Sequence, residues 1–194
     1  MDRRMPVRSL FVTQLYEAEL GNDDLLGELA HSIRALADDD AAGRDWSNAH
    51  RYAGYTSYAS LNDLPRRDPA FSELAKVLKR HAADLARNLG WEAKPKLDSL
   101  WVNLLRGSGH HSGHIHPHSI LSGTLYIEVP KGSGAIRFED PRLPLMMAAP
   151  PRGDTFVTVE PKPGLLLLWE SWLRHEVLPG TGKAERLSIS FNFA

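Results

Sequence analysis

The chain has 194 residues, 42% hydrophobic and 24% charged, which suits a globular protein with a sizeable core and excludes an extended disordered chain. A formal net charge of −1 offers no broad field for nucleic acid or an anionic membrane. The sequence has no cysteine, which removes disulfides, thiolate metal sites and thiol nucleophiles, so a metal site must use histidine and carboxylate.

The first fifteen residues begin basic but lack the apolar stretch of a signal peptide. The longest apolar run, 165–169, is far too short to span a bilayer, and a cytoplasmic location is expected. The pairs Arg3-Arg4 and Arg66-Arg67 read as solvated surface. Leu25, Leu29, Ile33 and Leu36 lie at helical spacing behind the capping candidates Asn22 and Asp23. A stronger helix starts at Asp68 as N-cap with Pro69 in its first turn. Its stripe runs through Phe71, Leu74, Ala75, Leu78, Ala82, Leu85 and Leu89 to a stop at Gly90. Between the two helices, 52–61 is aromatic and Ser/Gly-rich, an extended segment and loop.

The second half changes period. Segments 97–105, 121–129, 135–139, 155–160, 164–170, 175–178 and 186–193 read as strands, rich in β-branched and aromatic residues and separated by Gly and Pro. Leu125, Ile127 and Val129 alternate with Tyr126, Glu128 and Pro130, as a half-buried strand requires, and 187–193 alternates apolar and polar residues throughout. Short strands at this spacing predict a mainly β sandwich or barrel with helices packed outside. No repeat or linker divides the chain. We therefore expect a single domain over 1–194, with a helix-rich part over 1–95 and a strand-built core over 96–194.

Five of the nine histidines fall between His110 and His118, just before the strand at 121. Residues i and i+2 on extended backbone face the same way, so His114 and His116 can aim at one ion. Imidazole suits iron, zinc, copper and nickel, and His175, the only histidine after residue 118, supplies a third ligand from a distant strand. His116 and His118 share that parity, so spacing alone leaves His118 open as a ligand. The bland alternative is a polar loop with His175 as a satisfied core histidine.

Three stretches sharpen this reading. They are Trp101-Val102-Asn103, then 113–126 from Gly113 through His114-Ile115-His116-Pro117-His118 to Leu125-Tyr126, then His175-Glu176-Val177 with Arg186-Leu187-Ser188-Ile189-Ser190-Phe191-Asn192. Together with Phe138-Glu139-Asp140-Pro141-Arg142, they resemble the Fe(II)/2-oxoglutarate-dependent dioxygenases, specifically a bacterial and phage group related to prolyl hydroxylases. The likeness covers most of 97–194, with a looser one around 54–64. It implies a double-stranded β-helix, a distorted jelly-roll barrel, for the core. It also implies Fe(II), the cosubstrate 2-oxoglutarate and O2, with release of succinate and CO2 and hydroxylation of a C–H bond.

On this resemblance His114 matches the first ligand of the family's H-x-D motif, His116 stands where the carboxylate is expected, and His175 matches the distal histidine. Arg186 follows His175 at the distance at which the superfamily places the basic residue that holds the cosubstrate's far carboxylate. Arg186-Leu187-Ser188 matches its R-x-S pattern, and on a strand Arg186 and Ser188 share a face. Asn103 and Tyr126 are further candidates for contacting the cosubstrate or orienting ligands. The departure is His116. Three neutral imidazoles leave Fe(II) its full charge, which favours chelation of dianionic 2-oxoglutarate.

Two other readings compete. A cupin-like dioxygenase or isomerase also uses H-x-H, but its usual glutamate a few positions later is replaced by His118, Ser119, Ile120 and Leu121. A non-enzymatic jelly-roll module would close a zinc site with His118 as fourth ligand. The expected partner is a small-molecule or peptidyl substrate, with no nucleic acid or membrane and with a homodimer as the candidate assembly. Segment 140–154, which contains Pro141, Pro144, Met146, Met147, Pro150 and Pro151, reads as a long loop at the barrel mouth, suited to a lid.

Overall fold

A computed structural model describes residues 8–148, 150 and 155–194. The Arg3-Arg4 pair and the Pro151 and Asp154 end of the proline-rich loop lie outside them. In chain order the described residues form strand β1 (Leu15–Glu19), helices α1 (Asp23–Asp39) and α2 (Ala41–Ala49), strand β2 (Gly54–Thr56) and helix α3 (Pro69–Asn88). There follow β3 (Leu97–Leu105), β4 (His111–His114), β5 (Leu121–Glu128), β6 (Ile136–Glu139), the single turn α4 (Leu145–Ala148), β7 (Phe156–Val159), β8 (Leu165–Glu170), β9 (His175–Val177) and β10 (Arg186–Phe193).

Both predicted helices form, with the predicted caps. The Asn22 side chain accepts from the Leu25 N–H at 3.1 Å and that of Asp68 from the Ala70 N–H at 2.7 Å. Helix α3 stops two residues before Gly90, whose φ of +73° suits glycine. Helix α2 and strand β1 lack an apolar period of their own and escape a sequence reading, while β2 falls in the 52–61 stretch expected to be an extended segment and loop. Strand β1, for instance, is fixed by pairing with β8 along Leu15–Glu19.

The strands make two antiparallel sheets, one of order β1-β8-β5-β10-β3-β2 and one of order β4-β9-β6-β7. The N-terminal part thus supplies both edge strands of the larger sheet as well as the helices. That sheet has two buried faces. On the outer one, Leu100, Val102, Leu125, Ile127, Ile189 and Phe191 pack with Leu29, Ile33, Phe71, Leu74 and Leu78 of α1 and α3. The inner face meets the smaller sheet, where Tyr126, Leu167 and Trp169 contact Ile136 and Phe138. No strand pair joins the two sheets among the described residues, so the space between them is that of a sandwich rather than a closed barrel.

This arrangement corrects the expectation of half-buried strands. Residues 121–127 of β5 are buried throughout, because one face meets the helical layer and the other the second sheet. No helix among the described residues is long and apolar enough to cross a membrane.

Candidate metal centre

Strands β4 and β9 are hydrogen-bonded neighbours in which His114 stands directly opposite His175. Residues opposite each other across an antiparallel pair project to the same face, so both imidazoles enter the space between the sheets. His116 lies just past the end of β4, where its N–H donates to the Ser171 carbonyl at 3.1 Å. One ring nitrogen from each of His114, His116 and His175 can be chosen so that all three lie within 4.8 Å of one another. The His116 and His175 rings are parallel within 6° at 5.2 Å, and His114 closes the group at 4.5 Å from His175.

Two of the three rings are held by backbone carbonyls. His114 Nδ1 lies 2.7 Å from the Ser112 carbonyl and His175 Nδ1 lies 2.9 Å from that of Leu173. A carbonyl only accepts, so each Nδ1 carries the proton and leaves Nε2 with a free lone pair. Burial pushes His175 down to about 3, helped by His114 and His116 and opposed by the Leu173 bond, and pushes His116 down to about 4. Both imidazoles are therefore neutral near pH 7, the form that ligates a metal.

The three histidines line one wall of a cavity of about 440 Å³ that also reaches Arg186, Ser188, Asn103 and Tyr126. All seven residues singled out in the sequence thus surround one space. Arg186 is 4% exposed, and its Nη1 donates to the Gly134 carbonyl at 2.8 Å. No carboxylate pairs with it among the described residues, and desolvation lowers its pKa. Its guanidinium carbon stands 5.7 Å from the Tyr126 ring. Ser188 faces Asn103 on one side and Tyr126 on the other through the ladders of β10 with β3 and β5.

Asn103 is held in place by its neighbours. Its Oδ1 accepts from Thr56 Oγ1 at 2.9 Å and from the Tyr52 hydroxyl at 3.3 Å, while Nδ2 donates to Ser190 Oγ at 3.0 Å. Tyr126 differs, since its buried hydroxyl has no partner and burial pushes its pKa up to about 12. Among the described residues, three buried side-chain atoms lack a hydrogen bond, namely Tyr126 Oη, Trp169 Nε1 and Arg186 Nε. All three belong to residues lining this cavity. Buried donors without acceptors are costly, so their concentration here points to an acceptor that enters from outside.

The remaining histidines of the cluster separate cleanly. His118 is exposed, with φ +71°, and His110 is exposed; neither joins the group of three. The fourth zinc ligand that a structural site would need is thus not supplied by His118. His111 also lines the cavity but does not join the three, its Nε2 lying 2.9 Å from the Tyr52 hydroxyl, and burial pushes its pKa down to about 3. The proline-rich loop also departs from expectation. None of its described residues lines the histidine cavity, whereas Asp140, Pro141 and Arg142 line a separate groove with residues 8–13. A lid role for those residues is not supported.

Sequence reasoning missed Tyr52, Thr56, Trp46, Tyr58, Trp101 and Trp169 as lining residues. The parity of β3 could have given Trp101 with Asn103. The others depend on how α2, β2 and β8 are placed in three dimensions.

Residues 99–192 match the family model described as "Putative 2OG-Fe(II) oxygenase". No curated protein sequence matches significantly. Among solved structures, a prolyl-4-hydroxylase from Pseudomonas putida superimposes with TM-score 0.66 at 20% identity, covering 93% of this chain and 92% of that one. The non-heme alpha ketoglutarate dependent epimerase SnoN from nogalamycin biosynthesis gives 0.66 at 18% identity, over 93% and 76%. HygX from Streptomyces hygroscopicus, solved with nickel and 2-oxoglutarate bound, gives 0.61 at 13% identity, over 94% and 82%. At these identities the structural likenesses speak for the fold, while the model match over the strand-built half speaks for the family. Over residues 99–192 the chain is thus similar to the 2OG-Fe(II) oxygenases, a family of oxidoreductases.

Proposed function

We propose that the chain is a 2-oxoglutarate-dependent dioxygenase in which His114, His116 and His175 hold Fe(II), and that the facing sheets are the two halves of a double-stranded β-helix. The observation that carries this reading is a single cavity with three clustered imidazoles at one wall and an arginine without an acid partner at another. Arg186 offers the far carboxylate of 2-oxoglutarate its guanidinium, and Ser188 adds a hydroxyl on the same strand face. The unpartnered Tyr126 hydroxyl supplies a further donor to that carboxylate. Asn103 has its Oδ1 filled by Thr56 and Tyr52 and one Nδ2 hydrogen given to Ser190, so its role is to stiffen the floor of the cavity.

When bound, iron supplies O2 chemistry that couples decarboxylation of 2-oxoglutarate, to succinate and CO2, with insertion of one oxygen atom into a substrate C–H bond. The protein fixes the ligand geometry through the Ser112 and Leu173 carbonyls and the Ser171 contact, orients the cosubstrate, and keeps the cavity dry with Trp169, Phe138 and Ile136. With His116 in place of a carboxylate, the metal keeps more positive charge, which strengthens its attraction for the cosubstrate dianion. The substrate is a small molecule or a peptidyl side chain.

Anaerobic titration of iron-loaded protein with 2-oxoglutarate tests this reading. A visible charge-transfer band should appear and saturate, and Arg186→Ala should weaken its formation by roughly 30-fold or more, the loss of one charge-assisted pair. A protein that holds iron yet gives no band would overturn the cosubstrate assignment.

A further inference from the structure

Outside the metal and carboxylate ends, the cavity has a third wall made of rings. Trp46 comes from α2, Tyr58 from the loop after β2, and Trp101 from β3. Tyr58 is 56% exposed and meets Trp101 edge-on at 5.3 Å, and Trp46 lies 6.1 Å from Tyr58. Trp101 in turn is 6.1 Å from the His116 ring, so the series runs from solvent to a candidate ligand. His50, which does not line the cavity, stacks on Trp46 at 4.1 Å and covers one face of it. Exposed Ile115 and Pro117 also line the cavity and form a lip at its edge.

The wall is held rigidly. Asp40 caps α2 by accepting from the Gly43 N–H at 3.0 Å, and also accepts from the Tyr55 hydroxyl at 2.8 Å and from Ser60 Oγ at 2.5 Å. Its carboxylate thereby ties α2, β2 and the far end of the Tyr58 loop together. Gly43 makes the close approach possible, since a Cβ there would lie 2.2 Å from Asp40 Oδ2 and 2.8 Å from the Tyr55 ring. Rings fixed in this way lose little freedom when a ligand stacks on them.

Charge decides what such a wall takes. Among the described lining residues none is acidic, and Arg186 is the one permanent charge. With Fe(II) and dianionic 2-oxoglutarate in place, three neutral imidazoles leave the filled cavity with one excess positive charge. An aromatic wall alone suits cations, but here a cation would face that charge with no carboxylate to offset it. An anion would be drawn by that charge, but at the wall it would meet negative ring faces and only the neutral donors of Tyr58 and the two indoles, with no cationic side chain beside them.

We propose that Trp46, Tyr58 and Trp101 form the substrate subsite and select an uncharged molecule that offers an apolar ring face. This rests on the reading of the cavity as an Fe(II)/2-oxoglutarate site. The ring enters between Tyr58 and the Ile115–Pro117 lip and comes to rest beside His116, where its C–H bonds are closest to the metal.

The test uses 5-fluoroindole as the neutral probe and trimethylphenylammonium as the cationic one. Binding is followed by fluorine NMR in metal-free protein, and by the shift of the charge-transfer band in the anaerobic iron and 2-oxoglutarate complex. Fluoroindole should bind saturably in both. Tyr58→Ala and Trp101→Phe should each weaken it by roughly tenfold, the worth of an aromatic pair, whereas Trp172→Ala, on an exposed tryptophan outside the cavity, should not. The cation should bind at least about tenfold more weakly once iron and 2-oxoglutarate are present. Fluoroindole binding indifferent to both wall substitutions, or equal affinity for the cation in the loaded protein, overturns the proposal. A missing charge-transfer band would instead count against the cosubstrate reading, and the metal-free measurement would still report on the wall.

Discussion

Along β10, Leu187, Ile189, Phe191 and Phe193 enter the core shared with α1 and α3, whereas Arg186, Ser188, Ser190 and Asn192 line the histidine cavity. A strand alternating in this way would ordinarily separate core from water. Here both faces are shielded, with Arg186, Ser188 and Asn192 at 4%, 3% and 8% exposure beside an outer face at 0%. The outer face fills itself, ring against aliphatic chain, and its contribution is stability. The cavity that the inner face lines holds three buried donors without acceptors among the described residues, Arg186 Nε on β10 and Tyr126 Oη and Trp169 Nε1 on β5 and β8, an arrangement that costs stability. Stability and chemistry are thus carried by opposite sides of one strand, and they should respond separately to substitution.

The largest effect expected is on the outer side. Leu78→Ala removes a fully buried α3 side chain and should cost about 2–5 kcal/mol by denaturant unfolding, while leaving 2-oxoglutarate affinity unchanged. A parallel loss of affinity would show the two faces to be coupled. On the inner side, His175→Ala should lower iron affinity by on the order of 100-fold, more than loss of an outer-shell partner, as read by metal content after dialysis. Full iron retention would remove His175 from the ligand set.

Arg186→Met separates the two faces most directly. It should weaken 2-oxoglutarate by roughly 30-fold, yet leave the ligand-free protein as stable or raise its stability by about 1–2 kcal/mol, because a buried charge without an acid partner is removed. A variant that is destabilised by several kcal/mol would mean that the bond from Arg186 to the Gly134 carbonyl is structural.

The pH response should also sort the faces. His111 and His175 are held down to about 3 and His116 to about 4, against 6.5 for an unperturbed histidine. Between those values the unfolded chain binds more protons than the folded one, so stability falls as pH drops below about 6.5. The metal-free protein should lose on the order of a few kcal/mol from pH 7 to pH 5. Leu78→Ala should show the same slope displaced downward, since its side chain does not titrate. The smallest effect is expected for Gly43→Ala, about 1–2 kcal/mol, because its Cβ would collide with Asp40 and Tyr55. It should also weaken fluoroindole binding if α2 shifts.

The strands from β3 onward except β4, α1 with its Asn22 cap and α3 with its Asp68 cap were legible because their apolar periods are local properties of the chain. The same parity put His114 with His116 and Arg186 with Ser188 on shared faces before any fold was known. Spacing could not choose between His116 and His118, and tertiary structure separates them. The His116 N–H is tied to Ser171 beside His175, whereas His118 turns outward at φ +71°. Nor could it give β1 or α2, whose placement depends on partners elsewhere in the chain, such as β8 for β1 and Tyr55 and Ser60, which bond to the Asp40 cap, for α2. The sequence by itself therefore determined which residues are candidates for metal-ligand and carboxylate-binding chemistry, because residue type and period are local. Only the tertiary structure decided that they face one another across two sheets, and that Trp46, Tyr58 and Trp101 line the same cavity, because those proximities come from long-range packing.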